Sequence, residues 1–291
     1  MRESILSVLA RGELIICDGA MGTMLDSLGL PVGTLPELWN LENPDAVKSV
    51  HSAYAQAGAQ IVTTNTCGGH RLRLKDVGLA NEARRINRIA AELAREAVGD
   101  DVWVAGSVAS TGHLLEPLGD LTIAAAEELY AEQVQGLAEG GADIILAETH
   151  FDIEESCAVV RMTKEHSDLP VFCTFSFNPK GRTIMGLRPA IAAQRALDAG
   201  ASVVGANCGD GPEAIIAGLE GMQGVIDLPL MAQANAGIPR AGEHAAAVWD
   251  VTPEKMADYA EQFVKIGAQI VGGCCGTNPD FIAAIAHRLK G

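Results

Sequence analysis

Four stretches of this sequence share one phrase: Gln56-Ala-Gly-Ala-Gln-Ile-Val-Thr-Thr-Asn-Thr66, Glu139-Gly-Gly-Ala-Asp-Ile-Ile-Leu-Ala-Glu-Thr149, Asp198-Ala-Gly-Ala-Ser-Val-Val-Gly-Ala-Asn-Cys208 and Lys265-Ile-Gly-Ala-Gln-Ile-Val-Gly-Gly-Cys-Cys275. Each copy reads as a helix end, a Gly-Ala break and a buried strand. The glycine suits the left-handed position just past a helix C-terminus. The aliphatic or β-branched pair that follows begins a short apolar run of the kind parallel strands show. Four copies make an internal repeat.

Between the copies lie four further apolar runs, at 14–18, 102–106, 171–175 and 228–232, which bring the expected strands to eight. Helical-period segments separate them at 44–57, 80–98, 123–140, 153–165, 190–199, 212–222, 253–266 and 279–290. Most open beside a proline or a capping Asp, Asn or Thr. Eight strands alternating with eight helices in 291 residues is the arithmetic of an α/β chain folded as a (β/α)8 TIM barrel, whose usual size is about 250 residues. An open doubly wound sheet is the rival. The even repetition favours the barrel, because the edge strands of an open sheet should read differently from its central ones. No Pro/Gly/Ser-rich linker divides the chain, so a single domain over 1–291 is expected.

With 37 Asp+Glu against 21 Lys+Arg, a net charge of −16 and no basic cluster, the chain is a poor match for nucleic acid or an anionic membrane. A 48% apolar content excludes disorder. There is no uncharged apolar run of about 18 residues, and Met1-Arg2-Glu3-Ser4 does not begin a secretory signal, so a cytoplasmic location is expected. In that reducing setting the seven cysteines read as core fillers, metal ligands or nucleophiles rather than disulfides.

In barrels of this class the active site lies at the C-terminal strand ends, so the residues closing each repeat are the ones to read for function. They are Thr64-Asn65-Thr66, Glu148-Thr149, Asn207-Cys208 and Cys274-Cys275. Cys208 and Cys275 hold equivalent places and Cys274 precedes the latter, so three thiols can converge. Adjacent cysteines cannot both face one side of a regular strand, and Gly272, Gly273 and Gly276 would supply the freedom to bend. Three soft sulfur ligands suit Zn²⁺ with a fourth position open. Cys17, Cys157 and Cys173 fall inside strand or helix patterns and read as buried fillers.

A three-thiolate zinc site carries a charge of about −1 and suits holding a further thiol as thiolate better than hydrolysis, so thiol alkylation is the natural chemistry. If the substrate is a thiol amino acid, its ammonium needs an acid, and Asp18 and Glu148 stand at strand ends. Its carboxylate needs amides or a cation, and the small-residue turn Asp18-Gly19-Ala20-Met21-Gly22-Thr23 offers amides. Asp18 capping the next turn, and Glu148 pairing with a neighbouring Arg or Lys, are the structural alternatives.

Asp18-Gly-Ala-Met-Gly-Thr23, Thr64-Asn-Thr66, Glu148-Thr149, Gly205-Ala-Asn-Cys208, Asn235-Ala-Gly237 and Gly272-Gly-Cys-Cys-Gly-Thr277 together resemble the homocysteine S-methyltransferase family, most of all the homocysteine-binding module of cobalamin-dependent methionine synthases. The resemblance covers essentially the whole chain. It implies a (β/α)8 barrel with zinc held by Cys208, Cys274 and Cys275, homocysteine bound to that zinc through its sulfur, and methionine as product. It further implies Asp18 and Glu148 at the substrate ammonium, the Gly19 and Ala20 amides near its carboxylate, and Thr64 lining the pocket.

Three positions depart from the family pattern: Cys67 and His150 stand where relatives commonly have Phe, and Ala234 where they have Pro. Cys67 and His150 are open to a site role or a packing role. The Asp-x-His-x-x-Gly motif by which methionine synthases ligate cobalamin does not occur here. Three sources of the methyl group follow: a methyl-corrinoid protein docking in trans, which is favoured, or S-methylmethionine or betaine entering the same mouth. A non-catalytic barrel that binds zinc and thiol as an accessory subunit is the rival from another class.

Overall fold

In a computed structural model, which describes residues 3–241 and 247–291, the four repeat glycines Gly58, Gly141, Gly200 and Gly267 all take positive φ, between +85° and +122°. Each ends a helix at little steric cost and turns the chain into a strand. The strands are β1 (Ile15–Ile16), β2 (Ile61–Thr63), β3 (Trp103–Ala109), β4 (Ile144–His150), β5 (Val171–Phe175), β6 (Val203–Cys208), β7 (Leu230–Ala234) and β8 (Ala268–Gly273). The long helices between and after them are α1 (Pro44–Gln56), α2 (Ala83–Val98), α3 (Ile123–Glu139), α4 (Ile153–His166), α5 (Pro189–Ala199), α6 (Pro212–Met222), α7 (Pro253–Ile266) and α8 (Pro279–Lys290), with short helical turns in the loops after β1 and β2.

All eight strands are parallel, and from β2 through β7 each pairs with the next in sequence before β7 pairs with β8 and β8 with β1. The remaining seam, β1 to β2, is joined by a bridge between Cys17 and Ile61 and by Gln60 N–H to Ile16 O (2.7 Å) and Asp18 N–H to Ile61 O (3.0 Å). The chain is therefore a (β/α)8 barrel, and the open-sheet alternative falls away.

Two boundaries differ from expectation for local reasons. The strand expected at 228–232 runs two residues later, because Pro229 has no N–H for the ladder and contributes only its carbonyl, to Val204 N–H (3.2 Å). The helix expected from 80 begins at Ala83, after a 3-10 turn at Ala80–Glu82.

Inward-facing Ile15, Ile61, Ile144, Leu146, Phe172 and Met231 fill the barrel. Ile5, Val8 and Leu9 of a short N-terminal helix (Ile5–Ala10) join that cluster and close the bottom, a feature the periodicity did not announce. A second apolar layer, including Tyr54, Val104, Tyr130 and Phe263, packs the strands against the helices. The C-terminal strand ends are left as the mouth. No helix among the described residues is long and apolar enough to cross a membrane.

Candidate active site

Along β4 the period of two that turns Ile144 and Leu146 inward also aims Glu148 at the mouth, and along β8 Ile270 and Gly272 set Cys274 on the same side. On β6 the same period would give the inward place to Asn207. Cys208, next in line, has φ +59°, an uncommon value for a residue with a side chain, and this turns the strand end. The Sγ atoms of Cys208, Cys274 and Cys275 come to lie within 4.8 Å of one another.

Gly272 and Gly273 do not serve as bending points. Both lie within β8, where a Cβ at Gly272 would stand 2.7 Å from Asp18 O and one at Gly273 would stand 2.3 Å from Thr277 Oγ1. Only Gly276 uses the left-handed region, at φ +80°, with the Trp249 ring packed against it. Cys274 O accepts from Thr277 N–H (3.1 Å) and Thr277 Oγ1 (2.7 Å), which fixes the turn that presents both thiols.

The three thiols share hydrogen bonds. Donation from the Cys274 and Cys275 thiols draws Cys208 well below the ordinary thiol range, and the same sharing raises Cys274 and Cys275. Glu148, pushed up to about 7 by burial, accepts from Ser107 Oγ at Oε1 and from Asn207 Nδ2 (3.4 Å) at Oε2. No Arg or Lys stands within ion-pair distance of it among the described residues, so the structural alternative of a paired Glu148 is not what the fold uses.

Asp18, 1% exposed and pushed up to about 6 by burial, accepts from Thr63 N–H (2.6 Å) at Oδ2 and from Thr63 Oγ1 (2.9 Å) at Oδ1. It ties β1 to β2 rather than capping the following turn. A Cβ on Gly19 would stand 2.5 Å from Thr277 Oγ1, and the Ala20 amide already donates to that oxygen (3.2 Å). The Gly19 amide makes no hydrogen bond among the described residues.

Thr64 is buried, and its hydroxyl meets Thr66 Oγ1 (2.6 Å) while accepting Ser107 N–H (3.0 Å). It therefore places Ser107, which in turn holds Glu148. Residues the sequence reading missed are these supports: Ser107, Thr63, and Asn207 in a role of its own. Asn207 Oδ1 accepts Thr149 N–H (2.9 Å) and its Nδ2 donates to Thr149 Oγ1 (2.7 Å), clamping a residue at φ +60°. An Asn at the penultimate place of one repeat was visible; its partner 58 residues away was not.

His150 is fully buried beside Tyr130, its ring edge-on with centroids 6.3 Å apart, in the layer between barrel and helices. It does not face the mouth. Cys67 is exposed on the loop after β2, near enough to Glu148 and Cys275 for their charges to help raise its thiol, although burial of the sulfur raises it most. Cys17, Cys157 and Cys173 are buried.

The donor set fits the metal the sequence implied. A tetrahedral zinc with Zn–S bonds of about 2.3 Å needs sulfurs about 3.8 Å apart, within the observed spread of the three thiols. They stand with buried Asp18 and half-buried Glu148, neither of which has an Arg or Lys within ion-pair distance among the described residues, an arrangement that calls for positive charge from outside.

The sequence profile described as homocysteine S-methyltransferase matches residues 15–289. A methionine synthase of Mycobacterium leprae is 30% identical over 98% of this chain, and one of Mycobacterium tuberculosis likewise. The chain spans about a quarter of the length of these relatives, since it covers 25% of each. Among solved structures, the metallated form of the Escherichia coli homocysteine methyltransferase MmuM superposes with a TM-score of 0.79 over 97% of this chain and 98% of that one, at 24% identity. A methyltransferase from Methanosarcina mazei gives 0.61 at 12% identity over 98% of each chain. These two likenesses are of fold.

Proposed function

Because this chain belongs to the homocysteine S-methyltransferase family, we propose that it catalyses zinc-dependent transfer of a methyl group to the thiol of homocysteine, giving methionine, with the methyl delivered by a separate methyl-corrinoid protein. The observation that carries the reading is the convergence of the Cys208, Cys274 and Cys275 sulfurs near Glu148, an acid with no ion-pair partner among the described residues. Zinc held by these three cysteines would supply a Lewis acid that keeps a fourth thiol ionised at neutral pH.

The chain's own residues do the rest. Glu148, held by Ser107 and Asn207, has accepting capacity left on Oε2 for the substrate ammonium. Asp18, already accepting from Thr63 and Cys17, adds negative potential beneath it and shares the ammonium. The Gly19 amide faces the substrate carboxylate; the Ala20 amide, engaged by Thr277, shapes that turn. Thr64 contributes wall and support. The thiol proton leaves on binding, the sulfur forms its bond to the methyl carbon as the donor–carbon bond breaks, and the electron pair of that bond stays with the donor. Positioning carries the catalysis, and no general base is required.

The resemblance of the sequence motifs to the homocysteine-binding module of cobalamin-dependent methionine synthases favours corrinoid delivery. The test is to supply methylcobalamin, S-methylmethionine and betaine separately to the zinc-loaded protein with homocysteine and to measure methionine. Turnover with methylcobalamin supports the corrinoid version. Turnover with only the other two replaces it with a small donor, and proton release on adding homocysteine without methionine from any donor makes the protein an accessory binder.

A further inference from the structure

Beside the mouth, between the loops that follow β2 and β3, lies a cleft of about 300 Å³ lined by Leu35, His70, Leu72, Arg73, Asp76, Thr111 and His113. Arg73 is exposed and makes no side-chain hydrogen bond or ion pair within 4 Å among the described residues, not even with Asp76, which follows three residues on and also lines the cleft. Its Cδ and Nε lie over Gly68, where a Cβ would stand 2.5 and 2.8 Å from them. Gly68 directly follows Cys67, an exposed residue close enough to Glu148 and Cys275 to feel their charge. In a chain of net charge −16, a guanidinium left without a partner beside the mouth is open to an anion from outside.

Both walls of the cleft are built. Burial lowers His70 to about 4, so its ring is neutral and Nδ1 can accept the Arg73 N–H (3.4 Å), capping the short helix Arg71–Leu74. Opposite, the buried Glu155 carboxylate accepts Thr111 N–H (2.8 Å), Thr111 Oγ1 (2.6 Å), Tyr130 OH (2.7 Å) and Ser110 Oγ (2.6 Å), and Thr111 Oγ1 accepts His113 N–H (3.2 Å). Leu35 and Leu72 give the cleft an apolar side.

We propose that Arg73, with His113 across the cleft, forms a rim subsite that receives an oxyanion carried by the methyl donor. The inference rests on the methyltransferase reading above. The oxyanion is the carboxylate of a small onium donor or the nucleotide phosphate of a corrinoid, both of which a guanidinium fork recognises.

The test compares wild type with Arg73→Gln and Arg73→Lys, zinc-loaded with homocysteine, on two donor pairs: S-methyl-L-methionine against trimethylsulfonium, and methylcobalamin against methylcobinamide. The second member of each pair lacks the anion. The expected result for Arg73→Gln is a rise of about ten- to a hundredfold in KM for the anion-bearing donor. Its kcat, the homocysteine KM and the anion-free partner stay unchanged, and Arg73→Lys recovers part of the loss. The pair that responds identifies the source of the anion, and the dissociation constant of that donor by calorimetry should shift with its KM. Equal losses for both members, or no change, overturn the subsite and make Arg73 a structural neighbour of Glu37, whose carboxyl feels its charge. Wild type that transfers from none of the four donors overturns the methyltransferase reading as well.

Discussion

Replacing Glu148 by Gln keeps the shape of the residue and its acceptor for Ser107 Oγ, but removes the charge opposite the three thiols. Two effects of opposite sign follow. Without ligand, Glu148 is raised from 4.5 to about 7 by burial. A carboxyl raised on folding leaves the native state binding more protons, so wild-type stability falls as pH climbs from about 4.5 through about 7, and above that range the full cost is present. That cost is about 2 to 3 kcal/mol once solvent at the open side is allowed for. Ligand-free Glu148→Gln should therefore unfold at higher denaturant than wild type at pH 8 and equally at pH 4.

With homocysteine the sign reverses. A hydrogen bond to a charged group contributes about 1.5 to 3 kcal/mol, so the variant should bind homocysteine about 10- to 150-fold more weakly at pH 8. The deficit should shrink below pH 7, as wild-type Glu148 takes up its proton. Isothermal titration calorimetry from pH 5.5 to 8.5 on both zinc-loaded proteins reads the difference directly and cancels the proton released by the thiol. Equal affinity at pH 8, or a deficit that does not change with pH, refutes the assignment of Glu148 to the substrate ammonium.

Asn207→Ala removes both sides of the clamp on Thr149 and should lower stability by about 2 to 3 kcal/mol in urea unfolding, with homocysteine affinity falling in parallel; an unchanged midpoint would show that the φ +60° conformation of Thr149 needs no clamp. Gly276→Ala places a methyl against the Trp249 ring at φ +80° and should cost at least about 2 kcal/mol, whereas Gly22→Ala, which meets nothing within 4 Å, should stay within about 0.5 kcal/mol of wild type. Cys67→Ser should leave zinc content per chain unchanged while Cys208→Ser lowers it, measured by atomic emission after dialysis; loss of metal from both would place Cys67 among the ligands.

The repeat made the barrel legible because one phrase states the helix stop, the turn and the strand in a row, and the positive φ of Gly58, Gly141, Gly200 and Gly267 is the property that makes that phrase work. The mouth was legible because the residues that close each repeat lie at or near a strand end, although the strands themselves stop at different places in the phrase, at Thr63, His150, Cys208 and Gly273. What could not be read are contacts between residues far apart in the chain. Thr63 to Asp18 spans 45 positions and Ser107 to Glu148 spans 41, and neither leaves a local pattern. The placement of His150 was hidden by the irregularity at Thr149. There φ +60° and a shift in the β4–β5 register between Ala147 and His150 break the alternation a sequence reader would extend. The double glycine at 272–273 was visible, but its cause was not; close approach of Asp18, Cys17 and Thr277 requires it, not a bend.

The proposed function stands or falls with a zinc held by Cys208, Cys274 and Cys275 that receives the homocysteine thiol. X-ray absorption at the zinc edge, recorded on the purified protein with and without homocysteine, tests it most directly. About one zinc per chain is expected, with three sulfur neighbours at about 2.3 Å, rising to four sulfurs when homocysteine is added. Substoichiometric zinc, a first shell dominated by nitrogen or oxygen, or a sulfur count unchanged by homocysteine would contradict it.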